Sequence, residues 1–195
     1  LLLAVLIVIS FLKLTGISYQ DYYVGGSYLN TLIIPSTVAL GISLYQAFDL
    51  MKFHARSILI GITIGAIVNT ILTACLAKLF GMNFFLAISL FPKSVTTAMA
   101  IGITNKMGGM ATITLVVVVI TGILTSVIGP VILEMLGVKD SVAKGVALGG
   151  TGHAIGTGAA IKLGQIEGAM AGLSIGVTGI VYVIVSPIIA SIILK

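Results

Sequence analysis

The chain is 195 residues long, 58% hydrophobic and 8% charged, with a mean hydropathy of +1.26. A soluble domain carries roughly a quarter charged residues, so this composition excludes one and specifies an integral membrane protein. The net charge of +5 comes without a basic cluster interleaved with aromatics, which argues against nucleic acid and for Lys- and Arg-rich cytoplasmic loops.

A spanning helix takes about 20 apolar residues, so the expected fold is an all-α polytopic helical bundle, a single transmembrane domain over 1–195 in the lipid bilayer. The chain opens on LLLAVLIVISFL with no initiator Met, basic start or small-residue cleavage site. It reads as a truncated first helix over 1–14 rather than a signal peptide. The polar stretch TGISYQDYYVGGS reads as a loop whose tyrosines anchor the interface in place of the absent Trp. A second helix is expected over 29–48, interrupted by Pro35. DLMKFHARS reads as a short loop with Lys52, Arg56 and a solvated His54. The third helix, 58–80, carries Gly61-x-x-x-Gly65 for close helix contact and the mid-span amide Asn69. It also holds the lone cysteine, Cys75, expected as a small core residue. Asn69 is open to two readings, a packing hydrogen bond or a substrate contact. Residues 1–80 make up the first three helices.

Phe84 to Phe91 is apolar but too short to span. Pro92 stops it, Lys93, Ser94, Thr96 and Thr97 follow, and a second short apolar piece runs from Ala98 to Ile103. This pattern predicts a discontinuous or re-entrant segment. A long helix over 111–136, broken at Gly129-Pro130, comes next. The loop GVKDSVAK brings Lys139 and Lys144, the glycine-dense GVALGGTGHAIGTG spans 145–158, and a last helix runs over 168–194 with Pro187 near its end.

TGILTSVIGPVI at 121–132 matches TGIVYVIVSPII at 178–189, and TTAMAIGITNKMGGMA resembles GTGAAIKLGQIEGAMA upstream. The repeat units are 84–136 and 143–194, each a broken polar segment followed by a long helix with a late proline. Paired interrupted segments in two halves point to a transporter site. If the loops of Lys52/Arg56 and Lys139/Lys144 share one face, the PKSVTT segment must re-enter, and if the GVALGGTGHAIGTG segment re-enters likewise the repeat is inverted.

A helix beginning near Ser94 offers unpaired backbone N–H groups and a positive dipole end. Ser94, Thr96 and Thr97 add hydroxyls, and Lys93 adds charge inside the membrane, a functional signal by default. The plainer reading has Lys93 reaching an interface and the hydroxyls capping a helix. In the second segment Gly150, Gly152, Gly156 and Gly158 permit close backbone approach, Thr151 and Thr157 supply hydroxyls, and His153 titrates near neutral pH. A structural hydrogen bond is the alternative for His153. If both segments form one site, His153 faces Lys93 and the Ser94–Thr97 hydroxyls. Gly172-Leu-Ser-Ile-Gly176 fits G-x-S-x-G, an intramembrane hydrolase signature with Ser174 and His153. However, glycines at 164, 168, 172 and 176 read instead as a helix packing face. There is no Walker motif and no metal-ligand spacing, so neither cofactor, metal nor enzyme activity is expected.

PKSVTT at 92–97, TGIL…GPVI at 121–132, AKGVALGGTGHAIGT at 143–157, EGAMAGLSIG at 167–176 and STVALGISLY at 36–45 together resemble the LrgB/CidB family over nearly the whole chain. Bacterial members are described as antiholin-like, modulating murein hydrolase export and cell lysis with a small LrgA/CidA-type membrane partner. Related proteins carry small carboxylates such as pyruvate, glycolate or glycerate, including a plastid translocator. The resemblance implies a multi-pass protein of the bacterial plasma (inner) membrane. A lysis regulator assembling with its partner, or as a homo-oligomer, needs only amphipathic spans. Two interrupted polar segments fit a small-monocarboxylate transporter better, with proton coupling as an option. Its site would comprise Lys93, Ser94, Thr96, Thr97, Thr151, Gly152, His153 and Thr157, with Asn69 as a further member.

Overall fold

The computed structural model describes residues 2–32, 35, 45 and 48–194. The chain separates into two compact units, Leu1–Ser43 and Leu44–Lys195. In the first, α1 covers Leu2–Thr15 and α2 covers Tyr19–Asn30. The segment read as a polar loop is therefore helical from Tyr19 on. Ser18 starts it, its Oγ accepting from the Asp21 N–H at 3.2 Å, and Tyr19 stacks on Tyr23 one turn on. Most of the second helix expected over 29–48 lies outside the described residues.

The second unit is all helical over its described residues. α3 runs Phe48–Leu79, α4 Phe84–Leu90, a 3-10 turn Phe91–Ser94, α5 Thr97–Met107, α6 Ala111–Met135, α7 Ser141–Leu163 and α8 Gln165–Ile193. α3 begins about three turns earlier than expected, because nothing in DLMKFHARS breaks a helix: it has neither Gly nor Pro. Among the described residues, three helices are long and apolar enough to cross a membrane: Lys52–Leu79, Ala111–Met135 and Gln165–Ile193. Cys75 is exposed on α3, which corrects its expected place in the core.

Both interrupted segments turn back on themselves. Continuous helix would hold Ser89 and Met110 about 31 Å apart at 1.5 Å per residue. Instead the Met110 N–H donates to Ser89 Oγ at 2.7 Å, and Thr114 Oγ1 donates to the Ser89 carbonyl at 2.8 Å. The reversal is at Pro92–Thr96, where Pro92 leaves helical geometry (φ −84°, ψ 28°) and Val95 and Thr96 are extended. The second reversal is at His153 (φ 44°, ψ −135°). It brings Gly156 against the Leu148 backbone, where a Cβ would stand 3.1 Å from the carbonyl carbon; a straight helix would separate these residues by about 12 Å.

Close glycine contacts fix the helix directions. Gly145 abuts Met170, Gly149 abuts Ala171 and Gly150 lies by Thr178, so the first half of α7 runs parallel to α8. Gly129 meets Leu148, Thr125 meets Gly152 and Gly122 meets His153, so that half is antiparallel to α6. Packing clusters join Ile58 with Met170, Ala66 with Tyr182 and Ala74 with Ile189, making α3 parallel to α8. α3 and α8 thus cross one way and α6 the other. The α4–α5 hairpin enters from the face where α3 ends, and the α7 hairpin from the face where α3 begins. His153 packs on Gly122, near the middle of α6, so the α7 tip reaches mid-span. Each hairpin also rests on a glycine of a long helix, His153 on Gly122 of α6 and Met99 on Gly179 of α8, the two glycines that the sequence match of 121–132 with 178–189 aligns.

Two predictions follow from this geometry. In a Cys75→Ser background, Lys106→Cys and Lys139→Cys, both exposed, are expected to react with an impermeant thiol reagent from opposite sides of the membrane. Gly149→Ala, whose Cβ would stand 2.5 Å from Ala171 Cα, is expected to destabilise by about 1–3 kcal/mol. Gly158→Ala, with open space around it, should match or exceed wild-type stability by up to about 1 kcal/mol. Thermal unfolding in detergent measures both.

Candidate functional site

A cavity of about 500 Å³ lies between α3, the first half of α7 and α8, within the second unit. Its mouth is formed by His54 and Ser57 at the start of α3 and by Asp140, which caps α7 by accepting from the Ala143 N–H at 2.7 Å. Gly61, Gly65 and Ala66 of α3 form one wall, and Val146, Ala147, Gly150 and Thr151 of α7 the other. A Cβ at Gly61 or Gly65 would meet nothing within 4 Å. Among the described residues, the expected close-contact motif therefore widens a cavity here and seats no helix. His54, expected in solvent, is half-buried at the mouth and edge-on to Phe53. At the deep end stand Asn69, Ser94, Thr178 and Tyr182.

A hydrogen-bonded cluster closes that end. Asn69 Nδ2 donates to the Tyr182 hydroxyl at 2.5 Å. Lys93 Nζ donates to Asn69 Oδ1 and to Thr73 Oγ1, each at 2.7 Å. The hydroxyls of Ser94 and Thr70 lie beside the Tyr182 oxygen. Pro92 and the 3-10 turn make this possible, because they direct Lys93 from the hairpin tip across to α3. The ammonium has neutral oxygens as its described partners: none of the chain's five acidic residues pairs with it. A cation inside a membrane protein ordinarily pairs with a carboxylate or faces water. At the deep end of an open cavity, this arrangement leaves a positive site one hydrogen bond from the wall.

The structure brings Asn69, Ser94 and Thr151 onto the cavity and sets Lys93 directly behind it. Thr96 and Thr97 are half-buried at the start of α5, where Thr96 makes no side-chain capping bond, and they are not on the cavity wall. Gly152, His153 and Thr157 are turned toward α6 or into their own hairpin. Gly152 abuts Thr125, His153 Nε2 bonds the Val118 carbonyl at 3.1 Å, and Thr157 Oγ1 donates to the His153 carbonyl at 2.9 Å. His153 therefore does not share a site with Lys93 in this conformation: Lys93 reaches α3 and His153 reaches α6. Ser174 is buried in mid-helix and donates to Ala171 O at 2.8 Å, so no strand-to-helix elbow presents it. Sequence reasoning missed Tyr182, Thr178 and Thr73, which are ordinary residues in apolar helices until the partner helix is placed.

The φ of 44° at His153 belongs to the region that favours glycine, and a β-branched side chain is the poorest fit. His153→Gly is expected to keep the fold. His153→Val should unfold at lower temperature, by about 1–3 kcal/mol relative to the glycine variant, since both lose the bond to Val118 and only the valine adds backbone strain. Thermal unfolding of the two variants side by side isolates the difference.

A family model described as the LrgB-like family matches residues 1–192. The antiholin-like protein LrgB of Bacillus cereus (strain B4264) is 34% identical over 187 residues, covering 96% of this chain and 81% of that protein. The antiholin-like protein LrgB of Bacillus anthracis (strain A0248) gives the same values. No solved structure matches significantly. With a match over nearly its whole length, and with the two hairpin motifs lying inside it, the chain belongs to the LrgB-like family.

Proposed function

We propose that this membrane protein transports a small monocarboxylate of the pyruvate or glycolate type, with the cavity as its binding chamber. The observation that carries the reading is Lys93: an ammonium held by neutral oxygens behind the wall of an open cavity. A carboxylate at the deep end would supply the missing countercharge, with Ser94 and Asn69 as its polar neighbours and the apolar wall of Ala66, Val146 and Ala147 against its carbon chain. The half-buried N-terminus of α5, whose cap residue Thr96 is two residues beyond Ser94, adds its dipole behind the wall. Proton coupling is an option of this reading, through the amine of Lys93 or the imidazole of His153.

The face with the cavity mouth carries Lys52, Arg56, Lys139, Lys144 and Lys162, whereas the far end of the second unit carries Lys78 and Lys106. By the positive-inside rule the mouth opens to the cytoplasm of a bacterial inner membrane. A second reading has support in the relatives' name, antiholin-like: a regulator of murein hydrolase export and lysis, assembling with an LrgA/CidA-type partner or as a homo-oligomer. That reading leaves the cavity and its uncompensated lysine without a role.

Purified protein in liposomes, alone and with an LrgA/CidA-type partner, is expected to show counterflow of labelled pyruvate or glycolate. Lys93→Met should lower it roughly tenfold or more, the equivalent of one charge-assisted hydrogen bond, in protein shown to remain folded. No uptake in either preparation would favour the lysis regulator.

A further inference from the structure

Hydroxyls recur on α8 at Ser174, Thr178, Tyr182 and Ser186, one per turn along one face. All four residues are buried. Ser174 is satisfied inside its own helix and Tyr182 by Asn69. Thr178 Oγ1 and Ser186 Oγ have no hydrogen-bond partner among the described residues. Buried polar side chains are almost always paired. Two unpaired hydroxyls on one face, one on each side of Tyr182, call for a partner that this conformation does not present.

The cavity stops at Tyr182, but the polar column does not. α3 and α8 run parallel and meet at Asn69 and Tyr182, so one turn further on Thr73 stands level with Ser186. Lys93 serves both levels, bonding Asn69 on the cavity side and Thr73 beyond it. The surroundings at that depth are apolar, with Ala74, Phe91, Val185 and Ile189 in one cluster. Thr73 Oγ1 donates to the Asn69 carbonyl at 2.7 Å and accepts from Lys93, whereas packing alone gives no reason for the hydroxyl of Ser186.

We propose that Ser186 and Thr73 form the far-side half of the substrate site, with Tyr182 as the barrier between the halves and Lys93 common to both. A small carboxylate passing Tyr182 leaves Ser94 and Thr178 and meets Thr73 and Ser186 without losing the ammonium. The ligand's chemistry rests on the proposed transport function; the position of the path is tested without any carboxylate.

The test is thiol accessibility in the full chain with Cys75→Ser, using a charged, impermeant methanethiosulfonate on vesicles of each orientation. Ser186→Cys is expected to react from the face where α3 and α8 end and to be nearly inert from the basic face. Adding Tyr182→Ala, or Tyr182→Phe if the alanine variant fails to fold, is expected to raise labelling from the basic face, roughly tenfold for the alanine. Ile184→Cys, on the exposed side of the same helix, should stay unreactive. Gly61→Cys on the cavity wall should react from the basic face. If Gly61→Cys reacts and Ser186→Cys stays inert from both faces in every background, the far-side site is overturned and the cavity stands. If Gly61→Cys is also inert, the cavity is no aqueous route and the transport reading falls with the proposal. Ser186→Ala gives an independent readout: unchanged or higher thermal stability with reduced uptake is expected, and lower stability with full uptake would make Ser186 structural and overturn the proposal.

Discussion

The second unit is arranged around one electrostatic problem, an ammonium group inside a membrane protein without an acid beside it. Burying an unpaired charge is costly, and Lys93 meets that cost with an amide and a hydroxyl from α3, oxygens that stabilise the charge without cancelling it. This requires the lysine to sit at a chain reversal, since only a tip can direct a side chain across to another helix. It also requires α3 to present Asn69 and Thr73 on one face, one turn apart. Tyr182 then finds its partner in Asn69, and the cavity ends where this cluster begins.

The α7 hairpin answers a different demand. For the chain to enter and leave by one face, its two limbs must lie against α6, α8 and each other, closer than side chains normally allow. Gly145, Gly149 and Gly156 are the places where a Cβ would collide with Glu167, Ala171 or Leu148 backbone. Their spacing is set by which neighbour each meets. Gly150 lies on the cavity side, near Thr178, and Gly158 faces open space. The density of glycine in GVALGGTGHAIGTG therefore has at least two causes, close helix packing and the shaping of a chamber wall.

Much of this was legible before any coordinates. The interruption at PKSVTT, the glycine-broken second segment and the long helices with late prolines follow from composition and proline placement. The pairing of basic loops bears only on re-entry of the PKSVTT segment, and the sequence does not decide whether the second segment crosses or re-enters. Asn69, Ser94 and Thr151 were named and line the cavity. The helical α2 was not foreseen because a polar stretch holding Gly25-Gly26 reads as a loop, yet both glycines lie inside the helix. The early start of α3 was not foreseen because a short basic stretch without Gly or Pro can be either loop or helix. The shared site of His153 and Lys93 was over-read: two polar tips at one depth need not point at each other. Tyr182, Thr178 and Ser186 were legible in one respect only, their four-residue spacing, and hydroxyls are common enough in apolar helices that spacing alone does not single them out.

Lys93 and His153, sixty residues apart and matched when 96–111 is aligned on 156–171, stand at the reversals of the two hairpins. The two tips do unequal work. The lysine's turn is made by proline and a 3-10 segment, which leaves the side chain free to carry charge into the protein. The histidine itself adopts the strained backbone of its reversal, and its ring is spent on a bond to Val118 over Gly122. One tip holds chemistry and the other holds geometry. This division follows from the way each turn is built: a residue that must provide the break in a helix has its side chain placed by the break, whereas one that follows a proline can be aimed elsewhere. The cavity accordingly approaches the lysine's tip and passes beside the histidine's.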